Sequence, residues 1–133
     1  MQKRGQESAS NRAEGFLGKN LPANSDAEKA VIGAILLNDQ SIGKIADMLV
    51  PDDFYFPQHA LIFQIMLDLS QARKRIDLLT LQDELEKKKE LDQVGGTVFL
   101  VSLQEEIPAV GLIVQHAKII KEKSVLISPI LAI

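Results

Sequence analysis

Between Pro57 and Ser70 the apolar residues Leu61, Ile62, Ile65, Met66 and Leu69 recur at steps of three and four. Pro57 suits the first turn of a helix, so the stretch predicts a helix with one face in a core. The same spacing returns along the chain. Ser25 and Glu28 form an S-x-x-E capping box ahead of Ala27, Ala30, Val31, Ala34 and Ile35, which predicts a helix over about 26–37. Ile42, Ile45, Ala46 and Leu49 predict a second, short helix that Pro51 stops, and "PDDFYFP" then reads as an aromatic-rich turn. Thr80 with Asp83 resembles another N-cap arrangement, with Leu81, Leu85 and the charges of "DELEKKKE" describing a fourth helix with a wide solvated face.

A glycine pair, Gly95-Gly96, separates that charged helix from the apolar "TVFLVSL". A phosphate-gripping loop wants more glycine amides and a nearby cation, whereas the neighbours here are Asp92, Gln93 and Val94. The pair therefore reads as a stop between helices. Thr97 then opens a fifth helix bearing Phe99, Leu100 and Leu103, ending before Pro108. A last helix is expected from about Leu112 to Leu126, with Ile113, Ala117, Ile120 and Val125 on one side and Lys118, Lys121 and Lys123 near its negative end. Pro129 is expected to break it.

These segments leave no strand signal, so the expected fold class is all-α, an orthogonal bundle of about six helices. Composition agrees: 46% of the 133 residues are hydrophobic but only 5% are aromatic, which calls for a core of aliphatic side chains within one domain. The absence of Cys excludes disulfides and thiolate-bound zinc. His59 and His116 lie far apart without a second ligand nearby, so neither a metal nor another cofactor is expected. The longest apolar runs fall short of the roughly 20 residues of a membrane span, and the N-terminus lacks the apolar core of a signal peptide, so a cytoplasmic protein with no membrane partner is expected.

Residues 1–20 carry a net charge of +2 in a polar, Gly/Ser-rich stretch that reads as a disordered arm. "GFLGKN" inside it resembles a phosphate-binding loop, but that motif needs four residues between the glycines and Ser or Thr after the lysine. The remainder carries −5, which suits protein partners better than the phosphates of nucleic acid. In "DFYF", two of Phe54, Tyr55 and Phe56 are expected to anchor the turn in the core. His59 is expected to be a packed or hydrogen-bonded helix residue, and Asp77 a turn or capping residue.

The order of the motifs says more than any one of them. "LPANSDAEKAVIGAILLN", "LVPDDFYFPQHALIFQIMLDL", "RIDLLTLQDELEKKKELDQVGGTVFLVSL" and "IPAVGLIVQHAKIIKEKSVL" resemble, segment by segment, the N-terminal domain of the bacterial replicative DNA helicases, the DnaB family. The resemblance covers residues 21–126 and implies a helical collar of a hexameric ring, which docks primase and joins helicase subunits through a helical hairpin. It implies as partners primase, full-length helicase subunits or a second copy, and the helicase loader, with no direct contact to nucleic acid. ATP hydrolysis in that family belongs to a separate RecA-like motor. No G-x-x-x-x-G-K-[ST] occurs in this sequence, so the expectation is a non-enzymatic interaction domain of DNA replication.

Residues 127–133, "ISPILAI", form an expected divergent tail, as in a truncated or frame-shifted reading frame. Loss of the hairpin's second helix would expose apolar positions of the last helix, so Ile113 and Ile120 are candidate partner-binding residues. Phe99 is the third candidate: the resemblance places it near the partner-facing rim, while its neighbours Leu100 and Leu103 suit a core position. Two other readings stay open at this point. One is a small helical DNA-binding regulator, which would need a recognition helix presenting Arg, Lys, Asn or Gln. The other is a non-functional remnant.

Overall fold

The computed structural model describes residues 24–105 and 110–132. The expected arm (1–20) therefore lies outside the described residues, as does Pro108. Among the described residues there are five α-helices and no strand: α1 (Ser25–Leu37), α2 (Pro57–Gln71), α3 (Leu78–Lys87), α4 (Gly96–Glu105) and α5 (Ile113–Ala132). A six-residue 3-10 helix, Asp39–Lys44, occupies the place of the expected second helix and gives way to turns before Pro51. Six helical segments in the expected order thus make the all-α fold.

The start of α1 differs from the sequence reading, and at α3 the cap is Asp77, expected as a turn or capping residue, rather than Thr80 with Asp83. Asn24, not Ser25, caps α1, its side chain accepting from the Ala27 N–H at 3.0 Å. Asp77 caps α3 in a reciprocal box: the Thr80 N–H donates to Asp77 Oδ1 at 2.8 Å, and the Asp77 N–H donates to Thr80 Oγ1 at 2.9 Å. In each case a short polar side chain one step outside the helix satisfies amides that lack intrahelical partners.

Helices α2 and α3 both close with the double hydrogen bond of a Schellman turn. Lys74 N–H reaches Leu69 O at 2.9 Å and Arg73 N–H reaches Ser70 O at 3.0 Å; Glu90 N–H reaches Leu85 O at 2.8 Å and Lys89 N–H reaches Glu86 O at 3.0 Å. The left-handed residue in each is a cation, Arg73 at φ 60° and Lys89 at φ 58°. Glycine usually fills that position, because a Cβ there costs about 1 kcal/mol.

Gly95 and Gly96 do act as a stop, both with positive φ (108° and 76°), behind a 3-10 turn over Asp92–Val94. The core gathers Val31, Ile32 and Ile35 from α1, Ile62, Phe63 and Met66 from α2, and Leu81, Leu85, Leu100 and Leu103 from α3 and α4. Each such buried side chain contributes about 1.5–3 kcal/mol relative to exposure.

Helix α5 lies across α1 and closes this core with Ile113, Ala117 and Ile120. Its backbone stays helical past Pro129 to Ala132, where the sequence predicts a break. Proline's fixed φ is itself compatible with a helix, so it removes one backbone hydrogen bond without obliging the chain to turn away.

Candidate partner interface

Two polar ties hold together the helices of the candidate interface. The first is buried. Glu28 lies one turn ahead of Val31 and Ile32 on the inner face of α1 and is 2% exposed. Its Oε2 accepts the Tyr55 N–H at 2.7 Å and its Oε1 the Phe56 N–H at 3.4 Å, while His59 Nδ1 approaches Oε1 at 2.8 Å. A carboxylate oxygen only accepts here, so His59 Nδ1–H donates. Glu28 is thus a tertiary ligand of the aromatic turn rather than the capping partner of Ser25.

The turn itself divides as expected. Phe54 is buried against Phe63 with ring centres 4.8 Å apart, Phe56 is half-buried, and Tyr55 is exposed. His59 continues the tie: its ring stacks on Phe99 of α4 at 5.9 Å and 14°. Phe99 is half-buried and packs against the edge of the core, so the core reading and the rim reading each describe part of its surface.

The second tie holds α5. Asp53 accepts the Ser124 Oγ–H at 2.6 Å, the Val50 N–H at 2.8 Å and Lys121 Nζ at 3.0 and 3.2 Å. Burial pushes the Asp53 carboxyl up, but the bonds from Ser124, Val50 and Lys121 outweigh it and leave the group below its ordinary range. A pair of residues three apart on α5 therefore clasps one carboxylate of the Pro51–Asp53 turn.

Beside this clasp a groove of about 750 Å³ runs between the turn at Asp47 and Met48 and the outer face of α5, where Lys118, Glu122 and Val125 line it. The exposed apolar side chain here is Val125, not the two candidates. Ile113 and Ile120 are 1% and 2% exposed. The expectation that they lie open for a partner is corrected: they face α1, and α1 covers them without a second hairpin helix. Of the three candidates only Phe99 keeps accessible surface.

Sequence reasoning missed Glu28, Asp53, Lys121 and Ser124. A signal existed for Glu28, since it sits three and four residues before Val31 and Ile32 on the apolar stripe. Asp53 joins partners 68 and 71 residues away, which no local pattern announces. No group of three His, Asp or Glu side chains among the described residues is arranged to hold a metal, and no helix there is long and apolar enough to cross a membrane.

Known proteins share both the sequence pattern and the fold. The family described as the DnaB-like helicase N terminal domain matches residues 20–122. This chain belongs to that family. It is 38% identical over 105 residues to the replicative DNA helicase DnaC of Bacillus subtilis (strain 168), covering 79% of this chain and 23% of that protein. It is 39% identical over 105 residues to the replicative DNA helicase DnaB of Haemophilus influenzae, covering 79% of this chain and 22% of that one. The chain thus spans less than a quarter of the length of these relatives. The crystal structure of the N-terminal domain of DnaB helicase from Mycobacterium tuberculosis superimposes with a TM-score of 0.77 at 31% identity, over 80% of this chain and 76% of that one. The DnaB-like domain is therefore the whole of what is matched here.

Proposed function

We propose that this DnaB-like domain serves DNA replication as a protein-interaction module, docking primase and contacting other helicase subunits, with no motor activity of its own. The observation that carries the reading is the family match over 20–122 together with the shared fold. The surface supports it. Val98 and Leu79, in the first turns of α4 and α3, are 82% and 76% exposed, and Phe99 follows Val98 directly. Apolar side chains this exposed at helix starts are available for a partner to cover.

Helix α5 supports the subunit contact. Lys118 and Glu122 stand one turn apart on its outer face beside Val125 and Met48. Two copies of α5 laid antiparallel would bring each lysine opposite the other's glutamate, the self-complementary arrangement of a twofold interface. Light scattering behind a sizing column tests both limbs: the chain alone is expected to pass from monomer to dimer with concentration, and to co-elute with the helicase-binding domain of primase. A monomer at all concentrations that elutes apart from primase would remove the reading.

A further inference from the structure

Phe16 and Leu17, outside the described residues, are the only adjacent pair of large apolar side chains in residues 1–20, and they precede the segment 20–122 that the family shares. Arg12 and Glu14 stand on one side of the pair and Lys19 on the other. The groove beside α5 offers the converse. Met48 and Val125 supply its apolar lining, and Val125 is 53% exposed. Its charged lining is Asp47, Lys118, Lys121 and Glu122, of which Lys121 is already held by Asp53 at 3.0 Å. Asp47, Lys118 and Glu122 take no part in an ion pair among the described residues. Two carboxylates and one ammonium therefore match an arm segment with two cations and one carboxylate.

The path from arm to groove is short. At the start of α1 the Glu28 N–H donates to Asn24 O at 3.1 Å, and the Glu28 carboxylate in turn holds the Tyr55 N–H at 2.7 Å. Two residues before Tyr55, Asp53 binds Lys121, which lines the groove. These links put Asn24 within about 25 Å of the groove's edge. Phe16 is eight residues ahead of Asn24, and eight extended residues span roughly 26 Å or more. A segment tethered this near meets the groove at an effective concentration on the order of millimolar, which a second copy in dilute solution does not match.

We propose that Phe16 and Leu17 dock into the groove between Met48 and Val125 of the same chain, with Arg12 and Lys19 against Asp47 and Glu122, and so withhold α5 from a second copy. Apolar burial drives the contact, and the charges select the partner. Glu14 meets Lys118, the lysine that the subunit contact assigns to the other copy's glutamate. Docking in cis makes the arm a brake, because the α5 face is competent only in the fraction of chains whose arm is out. The brake on self-association rests on the α5 contact proposed above, whereas the docking rests on the groove and the arm alone.

The sequence has no cysteine, so Gly18→Cys in the full chain carries a single nitroxide label beside the anchor. In a dilute, isotope-labelled sample the label is expected to broaden the amide signals of Asp47, Met48 and Val125, and the signals to recover when Phe16→Ser and Leu17→Ser are added. Circular dichroism checks that each variant keeps the fold. Without the label, the double serine variant is expected to self-associate about tenfold more tightly than the unmodified chain by sedimentation velocity, the factor that a docked population of about 90% imposes. Undisturbed signals, or broadening that persists in the serine variant, overturn the docking. Broadening that arises only when the nitroxide sits on a separate copy also overturns it and assigns the groove to a second chain's arm. Equal self-association of the two chains, including none in either, overturns the brake. The label is read on the monomer, so failure of the docking and failure of the subunit contact are separate results.

Discussion

Glu28 Oε1 and His59 Nδ1 meet at 2.8 Å with both side chains buried, 31 residues apart in the chain. This bond, with the Tyr55 and Phe56 amides on the same carboxylate, ties α1, the aromatic turn and α2 together. Removing one member strands the others in the core. Glu28→Ala is expected to destabilise the domain by about 3 kcal/mol. His59→Ala should cost less, and the double variant less than the sum, with a coupling of about 1 kcal/mol or more by denaturant unfolding. Additive losses would show that the pair is incidental.

The Asp53 clasp makes α5 sensitive to acid. Burial works against the charged carboxyl, but Ser124, Val50 and Lys121 together hold it below its ordinary range, and the Arg75 guanidinium with the Ile76 amide does the same for Asp39. A carboxyl depressed on folding stabilises fully above its unfolded pKa of about 3.9 and loses that contribution as pH falls through the folded value. Stability should therefore be flat from neutral pH to about 5 and fall below about 4. In Asp53→Asn the fall should be shallower, measured as the thermal midpoint against pH; an unchanged slope would contradict the clasp.

The glycine pair offers a graded test. A Cβ on Gly95 would sit 2.9 Å from Phe99 Cβ, whereas one on Gly96 meets nothing within 4 Å. Both positions are left-handed, so Gly96→Ala is expected to cost about 1 kcal/mol from strain alone. Gly95→Ala adds the clash with the side chain that stacks on His59, so about 2–3 kcal/mol is expected. Equal losses would mean that Phe99 yields freely.

Much of the fold is legible in the sequence, because helical periodicity reports local geometry. The stripes at 27–35 and 61–69, the stop at Gly95-Gly96 and the packed His59 all follow from residues within a turn or two of each other. What escapes are ties between distant segments: Glu28 on the 55–56 turn, Asp53 on α5. The exposure expected for Ile113 and Ile120 fails for the same reason, since the sequence shows an apolar face but not that α1 already covers it. Pro129 fails differently, a strong local breaker being tolerated inside α5.

Core and surface of α5 should separate cleanly by mutation. Ile120→Ala opens a cavity against α1 and is expected to cost about 2–5 kcal/mol. Val125→Asp, on the exposed side, should alter stability by no more than about 0.5 kcal/mol while abolishing concentration-dependent dimerisation in sedimentation velocity. Intact dimerisation in that variant would place subunit contact elsewhere.

Calorimetric titration of the chain with the helicase-binding domain of primase tests the central claim most directly. Saturable binding with Kd about 1 µM or tighter, on the order of −8 kcal/mol, is predicted, with Val98→Asp weakening it at unchanged stability. No heat from a sample shown to be helical by circular dichroism would contradict primase docking by this domain.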